Sequence, residues 1–136
     1  MKAKIISVFT GLVFCSITLT AQITISGNSV VVSKGELSTR GSITNNSSDT
    51  DFTATQLFLT GTNQTLTTSP TTALTVQGLT IDGGGTKAAI GEWTISRDLS
   101  FASGIFSTSG GKLIYLGSAT LDGSSNSFVN GTLFQR

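Results

Sequence analysis

Apolar residues along this chain recur two positions apart, and short polar corners separate the pairs. Leu74 and Val76, followed by Leu79 and Ile81, show the arrangement most clearly. A period of two is that of a β-strand with one buried side, whereas a helix would space apolar residues three and four apart. The corners hold Gly, Ser, Asn and Asp, which favour turns. The pattern therefore predicts an all-β chain after the N-terminal segment.

Segments with this plan recur, beginning at Val30, Leu57, Leu74, Trp93 and Leu113. The last four begin about 17 to 20 residues apart, an interval typical of stacked β-coils. We predict a short right-handed parallel β-helix of about four or five coils. A β-sandwich of hairpins is the alternative, because it also has short strands and regular turns. Most corners lack the Asn-Gly pair of tight hairpins, which favours the coil.

The predicted interior consists of one or two apolar residues from each strand. This inward set is Val30, Val32, Leu57, Leu59, Leu74, Val76, Leu79, Ile81, Trp93, Ile95, Leu99, Phe101, Leu113, Tyr115 and Phe128. Trp93 and Tyr115 are thus expected to be buried and not displayed to a sugar. A solenoid that stopped at Arg136 would leave an open strand edge there. We therefore expect self-association, or continuation of the same solenoid, at that edge.

The N-terminal segment has the layout of a secretory signal peptide. Two lysines precede an apolar run from Ile5 to Leu19, and Ala21 is the expected last residue before cleavage. The run is short for a membrane span, so we expect no transmembrane anchor. The chain then divides into a signal peptide, 1–21, and a β-repeat domain, 22–136, that is incomplete at its C-terminus. Export to the cell surface or the extracellular space is expected, with the periplasm as the alternative.

Composition narrows the chemistry of the domain. The chain has no histidine, and its single cysteine, Cys15, lies in the predicted signal peptide. The commonest general base and any thiolate nucleophile are therefore missing from the domain. Charged residues are 11% of the chain, against roughly 25% in ordinary globular domains, and no basic cluster indicates nucleic acid. We expect a chain that is not an enzyme, has no cofactor and does not bind nucleic acid.

The run from Asp82 to Lys87, DGGGTK, has the composition of a phosphate loop but not its order. A phosphate loop needs Lys followed by Ser or Thr and then a helix. Here Thr86 precedes Lys87, and the residues that follow are too broken for a helix. The glycines therefore predict a corner with positive φ angles.

Oxygen-bearing side chains are dense in the run NNSSDTD, which we interpret as a protruding loop. Asn45, Asp49 and Asp51 are the candidate calcium ligands, since this ion is bound by several oxygens. The EF-hand pattern is missing, because no glycine sits at its turn and no glutamate closes the loop. A solvated polar loop is the favoured interpretation, and calcium binding is the alternative.

Within the predicted domain, three Thr-x-Thr pairs lie at 53–55, 60–62 and 65–67. Flat arrays of such pairs can bind ice or crystalline polymers when one pair per coil stacks at a spacing of about 4.8 Å. These pairs recur within less than one coil, so we expect them not to stack on one another. β-propensity on solvent-exposed faces explains them.

Four stretches carry a resemblance to a known family: LTVQGLTID, WTISRDLSFASGIFST, GGKLIYLGSATLDG and, above all, SFVNGTLFQR at the C-terminus. They resemble a repeating segment of large bacterial surface proteins exported by the type IX secretion pathway, whose Gly- and Thr-rich β-repeats are adhesin-like. A signal peptide ending in Ala21-Gln22 fits the same source. Such proteins normally continue to a C-terminal sorting domain, which this sequence does not contain. The family brings no catalytic residues to carry over.

These observations predict a non-enzymatic, exported structural segment, adhesin-like, at the cell surface or outside the cell. The alternative is a small secreted β module that binds calcium or a glycan. Calcium-dependent thermal stabilisation would separate the two, because a ligand that binds only the folded state raises its melting temperature.

Overall fold

The computed structural model describes residues 17–19, 22–25, 31–69, 73–117 and 123–136. Every regular element within these ranges is a strand, which confirms the all-β prediction. The described residues contain no helix of the length and apolar character that would cross a membrane. The strands are β1 (Ile17–Leu19), β2 (Ile23–Ile25), β3 (Val31–Thr39), β4 (Ile43–Asn45), β5 (Thr50–Leu59), β6 (Gln64–Thr68), β7 (Leu74–Ile81), β8 (Thr86–Phe101), β9 (Ile105–Tyr115), β10 (Val129–Asn130) and β11 (Leu133–Gln135).

All pairings between these strands are parallel. The inner strands pair with strands of the coils before and after them, so the coils stack into a β-solenoid of about five turns. The sandwich alternative is wrong, because hairpins would make antiparallel pairs. Among the described residues, the only antiparallel pairing is an isolated bridge between Ser124 and Ser127.

Breaks in the register divide each coil into three faces. The strand β8 is long enough to contribute to all three in turn. On each face, inward side chains stack in ladders about 20 residues apart in sequence, at a spacing of about 4.8 Å. The ladders are Leu37, Leu57, Leu79 and Leu99 on face 1; Ile23, Ile43, Leu66 and Ala89 on face 2; and Leu74, Trp93, Leu113 and Leu133 on face 3.

Most of the predicted inward set is in the core. Phe101 is partly buried and packs against it, whereas Val30 and the side chain of Val32 lie outside the part that the structure describes. The prediction that Phe128 points inward is wrong. Its side chain is 39% exposed, and its neighbour Val129 packs on the core instead. Val129 pairs with Phe106, so strand alternation turns Phe128 outward. The buried members are Leu57, Leu59, Leu74, Val76, Leu79, Ile81, Trp93, Ile95, Leu99, Leu113 and Tyr115.

Face 2 was not predicted from the sequence, because each of its short strands has a single apolar residue between polar ones. Ile43 lies in ITN and Leu66 in QTLTT, yet both are fully buried. Phe52 and Phe106 are likewise buried outside the predicted set. A strand of three to five residues leaves too short a pattern for the period of two to be recognised.

The predicted alignment of the repeats needs one correction. Leu57 stacks on Leu79 of face 1, and not on Leu74, which belongs to face 3. Leu57 also stacks on Leu37 in the coil before, 20 residues earlier, which is close to the 22 residues from Leu57 to Leu79. The run NNSSDTD is therefore not a protruding insertion but an ordinary corner between β4 and β5.

Strand β1 falls inside the predicted signal peptide. Its residues Ile17 to Leu19 pair in register with Leu37 to Thr39 of β3. Cleavage after Ala21 would remove this strand and leave β3 at the edge of face 1. The signal peptide itself remains a prediction from sequence.

Candidate functional site

The candidate calcium ligand Asn45 is fully buried and points into the solenoid. Its Oδ1 accepts hydrogen bonds from the Ser47 backbone N–H at 3.2 Å and from the Thr50 hydroxyl at 2.8 Å. Its Nδ2 donates to the Ser47 carbonyl oxygen at 3.1 Å. Asn45 thus fixes the corner from inside, and its amide oxygen already has two donors.

The other two candidates, Asp49 and Asp51, are exposed on the outside of the same corner. The Asp51 Oδ1 accepts hydrogen bonds from the hydroxyl of Thr53 at 2.6 Å and from its backbone N–H at 2.9 Å. These bonds lower the pKa of Asp51, and the charge of Lys34 adds to the effect. Within the described ranges, His, Cys, Asp and Glu form no group of three or more that could hold a metal ion.

Calcium is expected to leave the melting temperature of the chain unchanged. The buried, bonded Asn45 leaves only two exposed carboxylates at this corner, whereas calcium takes six to eight oxygens. Thermal unfolding, recorded with calcium and then with a chelator, measures the effect. A concentration-dependent rise that disappears in Asp51→Asn but persists in the control Asp98→Asn would instead establish the calcium site.

The run DGGG forms the corner between faces 1 and 2, as predicted. Gly83, Gly84 and Gly85 have φ angles of 75°, 67° and 63°, which side chains other than glycine rarely adopt. The Asp82 Oδ1 accepts hydrogen bonds from the Gly83 N–H and the Ser103 hydroxyl, each at 2.7 Å. These bonds lower the pKa of Asp82. Ser103 belongs to the next coil, so this carboxylate ties two successive corners together.

Lys87 was not identified from the sequence as a structural residue, yet it is fully buried beneath this corner. Its ammonium group donates to the carbonyl oxygens of Asp82 and Gly84. Gln64, its register partner in the preceding coil, donates to the corner of the coil before its own, to the carbonyls of Thr39 at 3.1 Å and Gly41 at 2.7 Å. Inward polar side chains therefore satisfy the corner carbonyls that turn away from water. The position of Lys87 shortly after a Gly-rich run is the sequence feature that could have indicated this role.

Burial sets the protonation behaviour of Lys87. Desolvation lowers its pKa from the ordinary value of 10.5, and the charge of Asp82 opposes that shift. Between the lowered pKa and 10.5 the unfolded chain binds more protons than the folded chain. The free energy of unfolding therefore rises with pH across that window.

The variant Lys87→Met is expected to abolish this pH-dependent increase in stability. The wild type and the variant are unfolded in urea at several pH values from 8 to 10.5. The fluorescence of Trp93 monitors unfolding, because this residue is the single tryptophan and is buried. At pH 8 the variant should also be about 1–3 kcal/mol less stable, because two corner carbonyls lose their donor. Lys112→Met, at a half-exposed lysine, is the control. Parallel pH profiles for the wild type and Lys87→Met would contradict the lowered pKa.

The Thr-x-Thr pairs do not stack on one another, as predicted. Thr67 does, however, stack on Thr44 and then on Thr24 along the outer side of face 2. The hydroxyl row ends at the next coil, where Ile90 takes the position, followed by Gly110. The row was not predicted because only Thr67 belongs to a Thr-x-Thr pair, whereas Thr44 and Thr24 lie in Ser-x-Thr and Gln-x-Thr contexts. It spans three coils, which is short for a flat binding lattice.

Several aromatic residues lie either in the core or at the C-terminal end. Trp93 and Tyr115 are buried as predicted, and the Tyr115 hydroxyl donates to the Arg97 carbonyl oxygen at 3.1 Å. Among the described side chains, the Trp93 indole N–H is a buried donor without an acceptor. Phe134 is 44% exposed, and the Lys112 ammonium lies 5.1 Å from its ring centre.

Comparison with protein-family models, with curated proteins and with solved structures gives no match for this chain. Functional inference therefore starts from the solenoid and its surfaces. The resemblance to repeats of exported surface proteins stays a prediction from sequence.

Proposed function

We propose that this chain is a non-enzymatic, exported structural segment of a cell-surface or extracellular protein, adhesin-like in kind. The observation that carries the proposal is the continuous parallel stacking of about five coils. A solenoid is extended in one direction, and each added coil lengthens it by about 4.8 Å. Such a shape separates its two ends, which suits a spacer or stalk.

The internal bonding supports a role as a rigid spacer. The corners are held by Asn45, Gln64 and Lys87 from inside, and by the Asp82–Ser103 contact between coils. These contacts need neither a disulfide nor a metal ion. The corner geometry therefore does not depend on the redox state or metal content of the surroundings.

The outer surfaces also fit a structural segment. Positions on the outer side of face 1 are Ser38, Phe58, Thr80 and Ser100, a mostly hydroxylic row that follows the register. The outward ion pair, Lys112 with Glu92 at 3.2 Å, bridges neighbouring coils of face 3. A surface glycan or the cell surface is the partner class that the resemblance suggests for these faces. The open strand edge at the last coil is the place for self-association or continuation of the solenoid.

The experiment that tests this function locates the processed chain in the source cell. Mass spectrometry of surface-shaved and secreted fractions should find a chain that begins at Gln22. The variant Ala21→Phe should block processing, since the residue before the cut must be small. Ala73→Phe, an exposed alanine far from the cut, is the matched control. An intact chain that begins at Met1 and remains inside the cell would overturn the proposal.

A further inference from the structure

Strand β1 covers one edge of β3 on face 1. Its three residues, Ile17–Leu19, pair in parallel with residues 37–39 of β3, without a register shift. Ile17 precedes its partner Leu37 by 20 residues, the interval that also separates Leu37 from Leu57 in the next coil. The strand β1 is therefore paired like the other strands of face 1, although it lies within the predicted signal peptide.

The predicted cut after Ala21 separates β1 from the rest of its coil. Strand β2, Ile23–Ile25, follows the cut and pairs with β4 on face 2. The processed chain thus keeps the face 2 strand of this coil and loses the face 1 strand. The cut leaves a step between the two faces, at which the N–H and C=O groups on one side of β3 are free for a further strand.

The end of β3 is held firmly from its other side. The Thr39 carbonyl oxygen accepts hydrogen bonds from the Thr60 backbone N–H at 2.9 Å and from the Thr60 hydroxyl at 3.2 Å. It also accepts one from the Gln64 side-chain amide at 3.1 Å. These donors belong to the next coil, so they keep the end of β3 in place when β1 is removed. A strand that binds there meets a preorganised edge, which lowers the ordering cost of association.

The stretch of β3 that β1 covers has no protection against pairing. Natural edges carry lysines, inward charges or prolines that oppose it. Residues 37–39 read LST and contain neither a charge nor a proline. The charged neighbours Glu36 and Arg40 lie outside the paired stretch. Removal of β1 therefore exposes an edge that is open to a new strand.

The same three positions define the pattern of a strand that fits. Leu37 packs against the core and Thr39 is fully buried, so both are inward positions. Ser38 lies between them on the outer side. A matching parallel strand has apolar residues at the two inward positions and a small polar residue between them. The sequence of β1, Ile-Thr-Leu, has this pattern.

We infer that the processed chain binds, on the free edge of β3, an extended segment of another polypeptide with the pattern apolar, small polar, apolar. The segment adds as a strand parallel to β3, in the register that β1 holds before processing. Main-chain hydrogen bonds provide the affinity of such strand addition, and alternate side chains provide its specificity. Until the cut is made, β1 keeps the edge closed.

A second copy of this chain is not the partner that the pattern favours. The strands that carry its core ladders, β5, β7 and β8 among them, are already paired on both sides within its own solenoid. Donation of one of them would open that core. A separate polypeptide with a free extended segment has no such cost.

This inference rests on the proposed function, because it assumes the cut after Ala21. The two fail separately, however. The N-terminus and location of the chain in the cell test the function, whereas strand binding by a purified chain that begins at Gln22 tests the edge.

A synthetic peptide with the sequence of residues 16–22, SITLTAQ, is the probe for the edge. In about tenfold excess over its Kd it should raise the melting temperature of the Gln22 chain by about 4 °C or more, because it binds only the folded state. The full chain should not respond, since β1 already fills the edge. The matched control is the same peptide with Ile17→Asp and Leu19→Asp, which would place charges at the inward positions.

Three outcomes would overturn the inference. The first is the absence of a rise in melting temperature, including a Gln22 chain that stays unfolded with the peptide. The second is an equal rise with the control peptide. The third is dimerisation of the Gln22 chain that the peptide does not displace, because a second copy would then occupy β3.

A cross-link tests the register. The Gln22 chain contains no cysteine, so Ser38→Cys introduces a single thiol on the outer side of face 1. A peptide with Thr18→Cys brings its own thiol to the facing position, at a strand spacing of about 4.8 Å that suits a disulfide. The control, Ser100→Cys, lies in the same outer row three coils further on. Mild oxidation should join the peptide to Ser38→Cys about tenfold faster or more, and equal rates would contradict the register.

Discussion

Replacement of Leu79 by alanine is expected to lower the free energy of unfolding by about 2–5 kcal/mol. Leu79 is almost fully buried and stacks between Leu57 and Leu99 on face 1. The strands on both sides are fixed by backbone pairing, so the cavity left by the missing side chain cannot collapse. Urea unfolding followed by Trp93 fluorescence measures the loss.

Thr80→Ala is the matched control for this prediction. Thr80 is the next residue on the same strand, but its side chain points outward. Its loss should cost less than about 1 kcal/mol. Equal losses for Leu79→Ala and Thr80→Ala would show that face 1 is not stacked with Leu79 inside.

Gly85→Ala is expected to destabilise the chain by about 3 kcal/mol or more. Gly85 has a φ of 63°, which costs any other residue strain. An added Cβ would also overlap the carbonyl oxygen of Thr62 in the preceding coil. Because that oxygen belongs to the main chain of a stacked coil, relief would require the two coils to separate.

The variant Gly84→Ala separates backbone strain from overlap with the neighbouring coil. The φ of Gly84, 67°, is nearly the same as that of Gly85, but an added Cβ would meet no atom within 4 Å. Only the conformational strain remains, so a loss of about 1–2 kcal/mol is expected by the same unfolding measurement. A Gly85→Ala loss no larger than that of Gly84→Ala would contradict the close approach of the coils at this corner.

The sequence was sufficient to predict the strand content and most of faces 1 and 3. Leu74 to Ile81 and Trp93 to Phe101 show pairs of apolar residues around a polar bend, and this is the pattern that two adjacent faces produce. The Gly-rich run after Asp82 predicted its corner because three successive glycines have few other uses.

Face 2 and the internal corner bonds could not be predicted in the same way. The inward positions of face 2 include Asn45, Gln64 and Lys87 beside Ile43 and Leu66, so its buried side lacks an apolar pattern. These polar residues are buried because they bond to corner groups that turn away from water. Asn45 and Lys87 bond to the adjacent corner of their own coil, whereas the carbonyl partners of Gln64 lie in the coil before and become visible only once the coils are stacked. For the same reason Asn45 was interpreted as a ligand for an ion when it is bonded to the chain itself.

Distances between spin labels test the stacking register most directly. In a Cys15→Ser background, labels at Thr80 and Ser100 occupy adjacent coils on the outer side of face 1, and a label at Ser38 lies two coils beyond Thr80 in the same row. Continuous-wave spectra should show strong dipolar broadening for Thr80 with Ser100, whose backbones are about 5 Å apart, and much weaker broadening for Ser38 with Ser100, about 14 Å apart. Absence of broadening in the Thr80–Ser100 pair, or equal broadening in both pairs, would contradict the parallel solenoid.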